Sequence, residues 1–122
     1  YTGIWFPGFD GLGGASVLVS AITQAQIHYL FDDSGVPRWL FAQDLVNPEP
    51  TNSELPMLQF SGYCAVCEAA AVSSVTAGVL ERSFDSETTG SWTLDYLFNS
   101  PLSGSVKRTD QIIKLTEELD CQ

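Results

Sequence analysis

Three cysteines and a single histidine are the residues whose types could support chemistry. Cys64 and Cys67 have the spacing of a redox dithiol, half of a zinc site or a haem attachment, and Cys121 lies near the end of the chain. A redox dithiol begins a helix in an α/β pattern, which is missing here. A haem motif needs histidine at position 68, which is glutamate, and a zinc site would have to gather these cysteines and His28 from distant segments. We therefore predict a structural disulfide, no metal and no cofactor.

The pairing of the cysteines stays open at this stage. A bridge between Cys64 and Cys67 is the local choice, whereas a bridge from Cys121 to either of them would close a much longer loop and stabilise more in the chain-entropy model. Because the number of cysteines is odd, one sulfur is either free or bonded to something outside this chain.

The acid and base groups do not form a recognisable catalytic pattern. A hydrolase triad would need His28, an orienting carboxylate such as Asp32 or Asp95, and a nucleophile, but no nucleophile-elbow sequence is present. We predict that His28 is a solvent-facing or hydrogen-bonded strand residue. The adjacent pairs Asp32-Asp33 and Glu117-Glu118 fit a solvated turn and tail better than a glycosidase, whose two carboxyls lie about 5–10 Å apart across a cleft. The chain is predicted not to be an enzyme, and calcium on Asp10 and Asp32-Asp33 is a weaker alternative.

The aromatic residues are the most informative candidates for binding. They occupy alternating positions in extended segments, so they either pack in the core or line the mouth of a barrel, where they would stack on an apolar or sugar ring. The candidate ligand-binding residues are Trp5, Tyr29, Trp39, Phe41, Trp92 and Tyr96.

A predicted β-hairpin over residues 26–43 positions several of these aromatics. Ile27, Tyr29 and Phe31 alternate before the polar stretch 32–35, and Trp39 and Phe41 alternate after it. Period two with β-branched and aromatic residues is typical of strands, and Asp, Ser and Gly favour a turn.

The rest of the chain repeats this pattern of short strands and turns. Further strands are predicted near 1–7, 15–22, 55–62, 75–84, 91–98 and 105–115. About eight short strands joined by turns favour an all-β antiparallel meander, and closing it into a barrel or flattened barrel hides both edges. Residues 1–122 are predicted to form a single β-barrel domain.

Composition limits the partners and the compartment. The formal charge is −10, with 15 acidic and 5 basic residues, which opposes binding to nucleic acid and to anionic lipid. No run approaches the roughly 18 apolar residues of a membrane helix, so no membrane span is predicted. Few basic residues, many aromatic and small polar residues, and cysteines expected to oxidise favour a secreted, cell-surface or periplasmic protein.

A series of short landmarks runs along most of the chain: Gly3-Ile4-Trp5-Phe6, Gly11 to Gly14, Tyr29-Leu30-Phe31-Asp32, Gly35-Val36-Pro37-Arg38-Trp39-Leu40, Gly62-Tyr63-Cys64 with Cys67, Gly78-Val79-Leu80 with Arg82, Gly90-Ser91-Trp92, Leu102-Ser103-Gly104-Ser105, and Lys114-Leu115-Thr116 before Cys121. In this order they resemble a family of exported bacterial modules, mostly proteobacterial, whose function is uncharacterised. Pro7 directly follows Phe6, where the family pattern has one intervening residue. The opening strand with Trp5 is also similar, over a few residues, to avidin-type barrels. The resemblance implies a β-rich exported module and no particular reaction.

We therefore expect a non-enzymatic extracellular binding or assembly module. Exposed strand edges or the N-terminal strand would contact other copies of the chain or another exported or host protein. The alternative is a lipocalin- or avidin-like carrier with a small apolar or ring-shaped ligand inside the barrel.

Overall fold

The computed structural model describes residues 1–45, 51–61 and 72–116, whose strands form one closed antiparallel ring. The strands are β1 (Gly3–Phe6), β2 (Gly14–Val19), β3 (Thr23–Phe31), β4 (Pro37–Leu45), β5 (Asn52–Ser61), β6 (Ser73–Phe84), β7 (Thr89–Leu97) and β8 (Ser105–Lys114). Each strand pairs with the next in sequence, and β8 returns to pair with β1. The predicted all-β meander, closed into a barrel, is confirmed. The disulfide prediction and the Glu117-Glu118 pair concern positions outside the described residues.

The predicted hairpin is present as β3 and β4. Their register runs without interruption from the pair Thr23–Leu45 to the pair Phe31–Pro37. In the turn between them, the Gly35 N–H donates to the Asp32 carbonyl at 3.0 Å. Gly35 has φ of +77°, a conformation that side chains with a Cβ rarely adopt, so glycine suits this position.

Because neighbouring strands run in opposite directions, the segments that connect them alternate between the two ends of the ring. The end that carries segments 7–13, 32–36 and 98–104 is called the upper end here, and the end with the turns at 20–22 and 85–88 is the lower end. At the upper end the Asp33 N–H donates to the Ser103 carbonyl at 3.1 Å, which ties two of these segments together. In the described part of the chain, no helix is long and apolar enough to cross a membrane.

Side chains fill the interior of the ring. Alternate residues of each strand point inward, as the pleat of a strand requires. The largest fully buried apolar side chains are Trp5, Leu30, Leu40, Leu55, Met57, Leu80, Trp92, Leu94 and Ile112. Burying each large apolar side chain stabilises the fold by about 1.5–3 kcal/mol. The interior is therefore a packed core.

Candidate functional site

The six predicted ligand-binding residues separate into two groups on opposite sides of the barrel wall. Trp5, Trp92 and Tyr96 point inward and are almost completely buried. On β7 the buried positions alternate with outward polar ones. The remaining three residues, on β3 and β4, lie on the outward side of the wall and do not belong to the core. That the six residues bind a ligand stays a prediction.

The outward side chains of β3, β4 and β5 form a continuous apolar surface, which we call the aromatic face. Its members are Ile27, Tyr29, Phe31, Trp39, Phe41 and Phe60. Tyr29 and Trp39 are each 49% exposed, and Phe31 is 56% exposed. Such a cluster is unusual on a soluble surface, where large exposed apolar side chains normally occur singly.

Register and ring contacts hold the aromatic face together. Tyr29 lies directly opposite Trp39, and Ile27 lies opposite Phe41. The rings of Trp39 and Phe60 stack across β4 and β5, with centroids 5.6 Å apart and planes at 28°. The rings of Phe41 and Phe60 lie 6.1 Å apart. These contacts restrict the movement of several exposed rings, so little further ordering would be needed to bury them.

One ion pair borders the upper end of the aromatic face. The Arg38 Nε donates to the Asp32 Oδ2 at 3.0 Å, while the other carboxylate oxygen accepts the N–H groups of Ser34 and Val36. The hydrogen bond from Val36, followed by those from Arg38 and Ser34, keeps the pKa of Asp32 below its usual value despite opposing desolvation. Both oxygens of the Asp32 carboxylate are thus hydrogen-bonded, one to the backbone of the turn and the other to Arg38.

The outward faces of β6, β7 and β8 differ in character. They carry mainly hydroxyl, carboxylate and amine side chains, among them Glu81, Ser91, Thr93, Asp95, Lys107 and Thr109. A polar surface hollow of about 440 Å³ lies where β5, β6 and β7 meet, beside Glu54 and Glu81. Of the exposed apolar residues here, Leu97 lies opposite Ser105, whereas Ile113 lies opposite Phe6 on β1. The outward faces of β6 to β8 are therefore mainly polar, and the cluster of exposed aromatic rings lies on β3 to β5.

A buried polar network occupies the inward positions of β3. The aromatic residues of this strand would be expected to face the core, but they point outward. The Arg82 guanidinium on β6 donates to the side-chain oxygens of Gln26, at 3.0 Å, and Gln24. It also lies 4.6 Å from the centre of the Phe84 ring. Burial lowers the pKa of Arg82 to about 10, and no carboxylate among the described residues pairs with it. Two amide oxygens and one ring therefore solvate a buried cation.

His28 belongs to the same network, so the prediction of a solvent-facing histidine is wrong and that of a hydrogen-bonded one is confirmed. The side chain is 1% exposed, its Nδ1 lies 3.1 Å from the Gln26 Nε2, and its ring meets the Trp92 ring edge-on at 4.6 Å. Burial lowers its pKa to about 4, although the Leu12 backbone and the Asp110 carboxylate act in the opposite direction. His28 is therefore neutral at pH 7.

The network also fixes the tautomer of His28. Arginine can only donate hydrogen bonds, so the oxygen of the Gln26 amide must face Arg82. The Gln26 NH₂ group then donates to the Nδ1 of His28, which leaves the ring proton on Nε2. A protonated ring would carry a second N–H facing the Gln26 NH₂ group, so the hydrogen bonding and the burial favour the same neutral form.

These interior groups do not assemble the hydrolase arrangement considered from the sequence. Among the described residues no hydroxyl or thiol nucleophile bonds to His28. Asp32 lies in the upper turn and Asp95 on the outward side of β7, so the carboxylate whose charge reaches His28 is Asp110. Asp110 accepts a hydrogen bond from Arg108 at 2.7 Å. Within the described ranges no three acidic, histidine or cysteine side chains lie close enough to hold a metal ion.

The sequence analysis did not identify Phe60 as a member of the aromatic face. It also did not identify Arg82 and Asp110 as interior groups near Gln26 and His28. The signal for Phe60 was available, because a β4–β5 pairing would place it beside Trp39 on the outward side. No local signal identifies Arg82, whose contacts with β3 join positions 56 and 58 residues apart. Comparisons with protein-family models, with curated proteins and with solved structures found no match to this chain.

Proposed function

We propose that this chain is a non-enzymatic, exported binding module that contacts a partner protein through the aromatic face. The observation that carries the proposal is the asymmetry of the outer wall, which gathers exposed aromatic rings on β3 to β5 and polar side chains on β6 to β8. Tryptophan and tyrosine dominate the binding energy of many protein interfaces because they bury large areas with few rotatable bonds.

Packing inside the barrel supports a surface role over that of a carrier. A carrier needs an interior space that encloses most of its ligand. Here Trp5, Trp92 and the aliphatic core occupy the interior, and the aromatic residues free to touch a ligand are outside. The closed ring also changes the expected mode of contact, because β1 is paired on both sides and offers no free outer edge.

Charge favours a different protein over a second copy as the partner. Two copies would each carry a formal charge of −10, and this like charge would oppose their approach. A partner with a basic rim around an apolar centre would instead be attracted, and the attraction would weaken as salt is raised. An exported protein or a host surface protein of that character fits the proposal.

The experiment compares the wild-type chain with two matched variants, Trp39→Ser on the aromatic face and Leu97→Ser on the polar side. Each chain is immobilised and exposed to the extracellular proteins of the organism that encodes it. We expect a retained protein whose binding falls at least about tenfold in Trp39→Ser and is unchanged in Leu97→Ser. Equal retention by all three chains would contradict the proposal.

Native mass spectrometry of the purified wild-type chain separates the alternatives. Monomers without bound small molecules are expected. A co-purifying small molecule that survives in Trp39→Ser would favour the carrier, and oligomers that Trp39→Ser abolishes would show that the face joins copies of the chain.

A further inference from the structure

The outer wall of the barrel has a hollow of about 210 Å³ across β2 and β3, at the lower edge of the aromatic face. The outward side chains around it are Ser16, Leu18, Ala25, Ile27 and Phe41. Ile27 and Phe41 also belong to the aromatic face, so the hollow continues that surface towards β2. No charged side chain is among the described residues that line the hollow. It is therefore a mainly apolar recess beside the proposed binding surface.

Strand register explains why the surface is recessed at this place. Ala25 on β3 lies opposite Leu18 on β2. In the neighbouring outward pair, Ser16 lies opposite Ile27, which in turn lies opposite Phe41 on β4. Each pair across β2 and β3 thus joins a small side chain to a large one, and side chains that face each other on adjacent strands lie close enough to touch. The two small side chains therefore leave a space that the three large ones surround.

Paired backbone forms the floor of the hollow. Val17 and Gln26 are the register pair between the two outward pairs, and their buried side chains point into the barrel. The Gln26 amide is held inside by its contacts with Arg82 and His28. A slip of β3 by one residue would exchange its inward and outward rows. The register that positions the hollow is therefore the one that the buried network stabilises.

The size and lining of the hollow suit one large apolar side chain. For comparison, a cavity of about 150 Å³ lined by aliphatic and aromatic residues accommodates benzene. A hollow of about 210 Å³ is thus large enough for a leucine, methionine or phenylalanine side chain. The Ser16 hydroxyl lies 3.4 Å from the Tyr29 hydroxyl, so an apolar occupant would not leave it without a hydrogen-bond partner.

Charge on this half of the chain defines what surrounds that side chain. Residues 1–61 include one basic residue, Arg38, whose guanidinium pairs with the Asp32 carboxylate. The acidic residues in the same range are Asp10, Asp32, Asp33, Asp44, Glu49 and Glu54. A partner that presents lysine or arginine around its apolar side chain is therefore attracted to this half of the chain, whereas one with acidic neighbours is repelled.

Side chains that fill a pocket and lose their contact with water contribute much of the binding energy of protein interfaces. We propose that the hollow holds one large apolar side chain that projects from the partner protein and has lysine or arginine beside it. The inference rests on the proposed function and specifies the group by which the partner is anchored. Residues of the partner next to this side chain would cover Phe41 and the rest of the aromatic face.

Filling the hollow distinguishes a recess for a side chain from a surface that is only apolar. Ala25→Leu adds apolar area to the outward side of β3 but occupies the recess, and Thr93→Leu adds the same side chain on the outward side of β7 as a control. The probes are peptides about twelve residues long from a displayed random library, selected on the wild-type chain and counter-selected on Trp39→Ser. They should bind Ala25→Leu at least about tenfold more weakly than the wild type, and Thr93→Leu equally well.

The outcomes separate this inference from the proposed function. Peptides that bind Ala25→Leu as tightly as the wild type, or more tightly, would overturn the inference and leave the aromatic face as the binding surface. Failure of any peptide to survive the counter-selection would contradict the proposed function and the inference together.

A double-mutant cycle measures the contact itself. Each large apolar residue of an enriched peptide is replaced in turn by alanine. One of these replacements should weaken binding to the wild type at least about tenfold and binding to Ala25→Leu by less than about twofold, because the filled hollow no longer holds that side chain. Equal losses on the two chains would place the side chain elsewhere and overturn the inference. Aspartate or glutamate in place of lysine or arginine beside that residue would also overturn it.

A second variant decides the case in which Ala25→Leu unfolds more easily than the wild type in urea. Leu18 forms one wall of the hollow and is 60% exposed, so Leu18→Ala opens the hollow with little effect on the core. This variant should weaken peptide binding about threefold or more, because the bound side chain loses apolar contacts. Unchanged binding to folded Leu18→Ala would overturn the inference.

Discussion

Lowering the pH is expected to destabilise the barrel through His28. The neutral ring accepts a hydrogen bond from Gln26, whose oxygen is occupied by Arg82, so the buried site has no place for a second ring proton. The pKa of His28 is about 4 in the folded chain against 6.5 in the unfolded chain. Between these values the unfolded chain binds a proton that the folded chain does not.

The sign and size of the effect follow from this difference. Stability increases with pH wherever the unfolded state binds more protons, so the contribution of His28 is complete above about pH 6.5 and is lost as the pH falls towards 4. Because one pKa unit corresponds to 1.36 kcal/mol, the loss is about 3 kcal/mol, reached at a slope of at most about 1.4 kcal/mol per pH unit. That is a large share of the 5–15 kcal/mol typical of a domain, as an order-of-magnitude guide.

Urea unfolding from pH 7.5 to 3.5, on the wild-type chain and on His28→Gln, measures the effect. Carboxylates titrate in the same range in both chains, so the difference between their unfolding free energies isolates the histidine. That difference should change by about 3 kcal/mol across the window. His28 is the only histidine, so its ring signals also report its pKa directly by NMR. A measured pKa within half a unit of 6.5, or a difference that does not vary with pH, would refute the reasoning.

Four further substitutions test the packing of the barrel by chemical denaturation. Gly13→Ala should cost several kcal/mol, because a Cβ there would overlap the backbone carbonyl oxygen of Tyr29, whereas Gly35→Ala, with a similar positive φ and open space, should cost about 1–2 kcal/mol. Equal costs would contradict the close approach at Gly13. Tyr96→Phe should leave stability unchanged or raise it by up to about 1 kcal/mol. Burial lifts the pKa of the Tyr96 hydroxyl to about 12, and no hydrogen-bond partner for it lies among the described residues. A loss of stability above about 1 kcal/mol would contradict this expectation. Arg82→Lys should cost about 1.5–3 kcal/mol, because an ammonium cannot reproduce the fork to two amide oxygens; an unchanged midpoint would contradict it.

Strand positions were predictable from the sequence because they depend on local pattern and turn chemistry. The hairpin around Gly35 and the alternation of Trp92 and Tyr96 with polar residues in β7 placed both elements correctly. In β7 the alternation separates apolar positions from positions that carry serine, threonine and aspartate, and the structure buries the apolar row. Local period and local polarity agree there, and the structure follows both.

The orientation of β3 was not predictable in the same way. Period two divides Gln26 and His28 from Tyr29 and Phe31, but it does not say which side faces the core. Aromatic rings are usually the buried side of a strand. In β3 they are not, because Arg82, which is distant in sequence, donates hydrogen bonds to the buried side chains of Gln24 and Gln26 from inside the barrel. Information that depends on a partner 56 residues away is absent from any local window.

The buried network and the aromatic face are consequences of one choice of register. Side chains alternate strictly along a strand, so placing Gln26 and His28 inside forces Tyr29 and Phe31 outside. If the inward positions of β3 were apolar, both faces of the strand could pack against a core, and a slip by one residue would cost little. With Arg82 inside, the same slip would leave a buried cation without its amide partners, which is strongly unfavourable. The polar interior therefore specifies which side of the hairpin is exposed, and through it where the proposed binding surface lies.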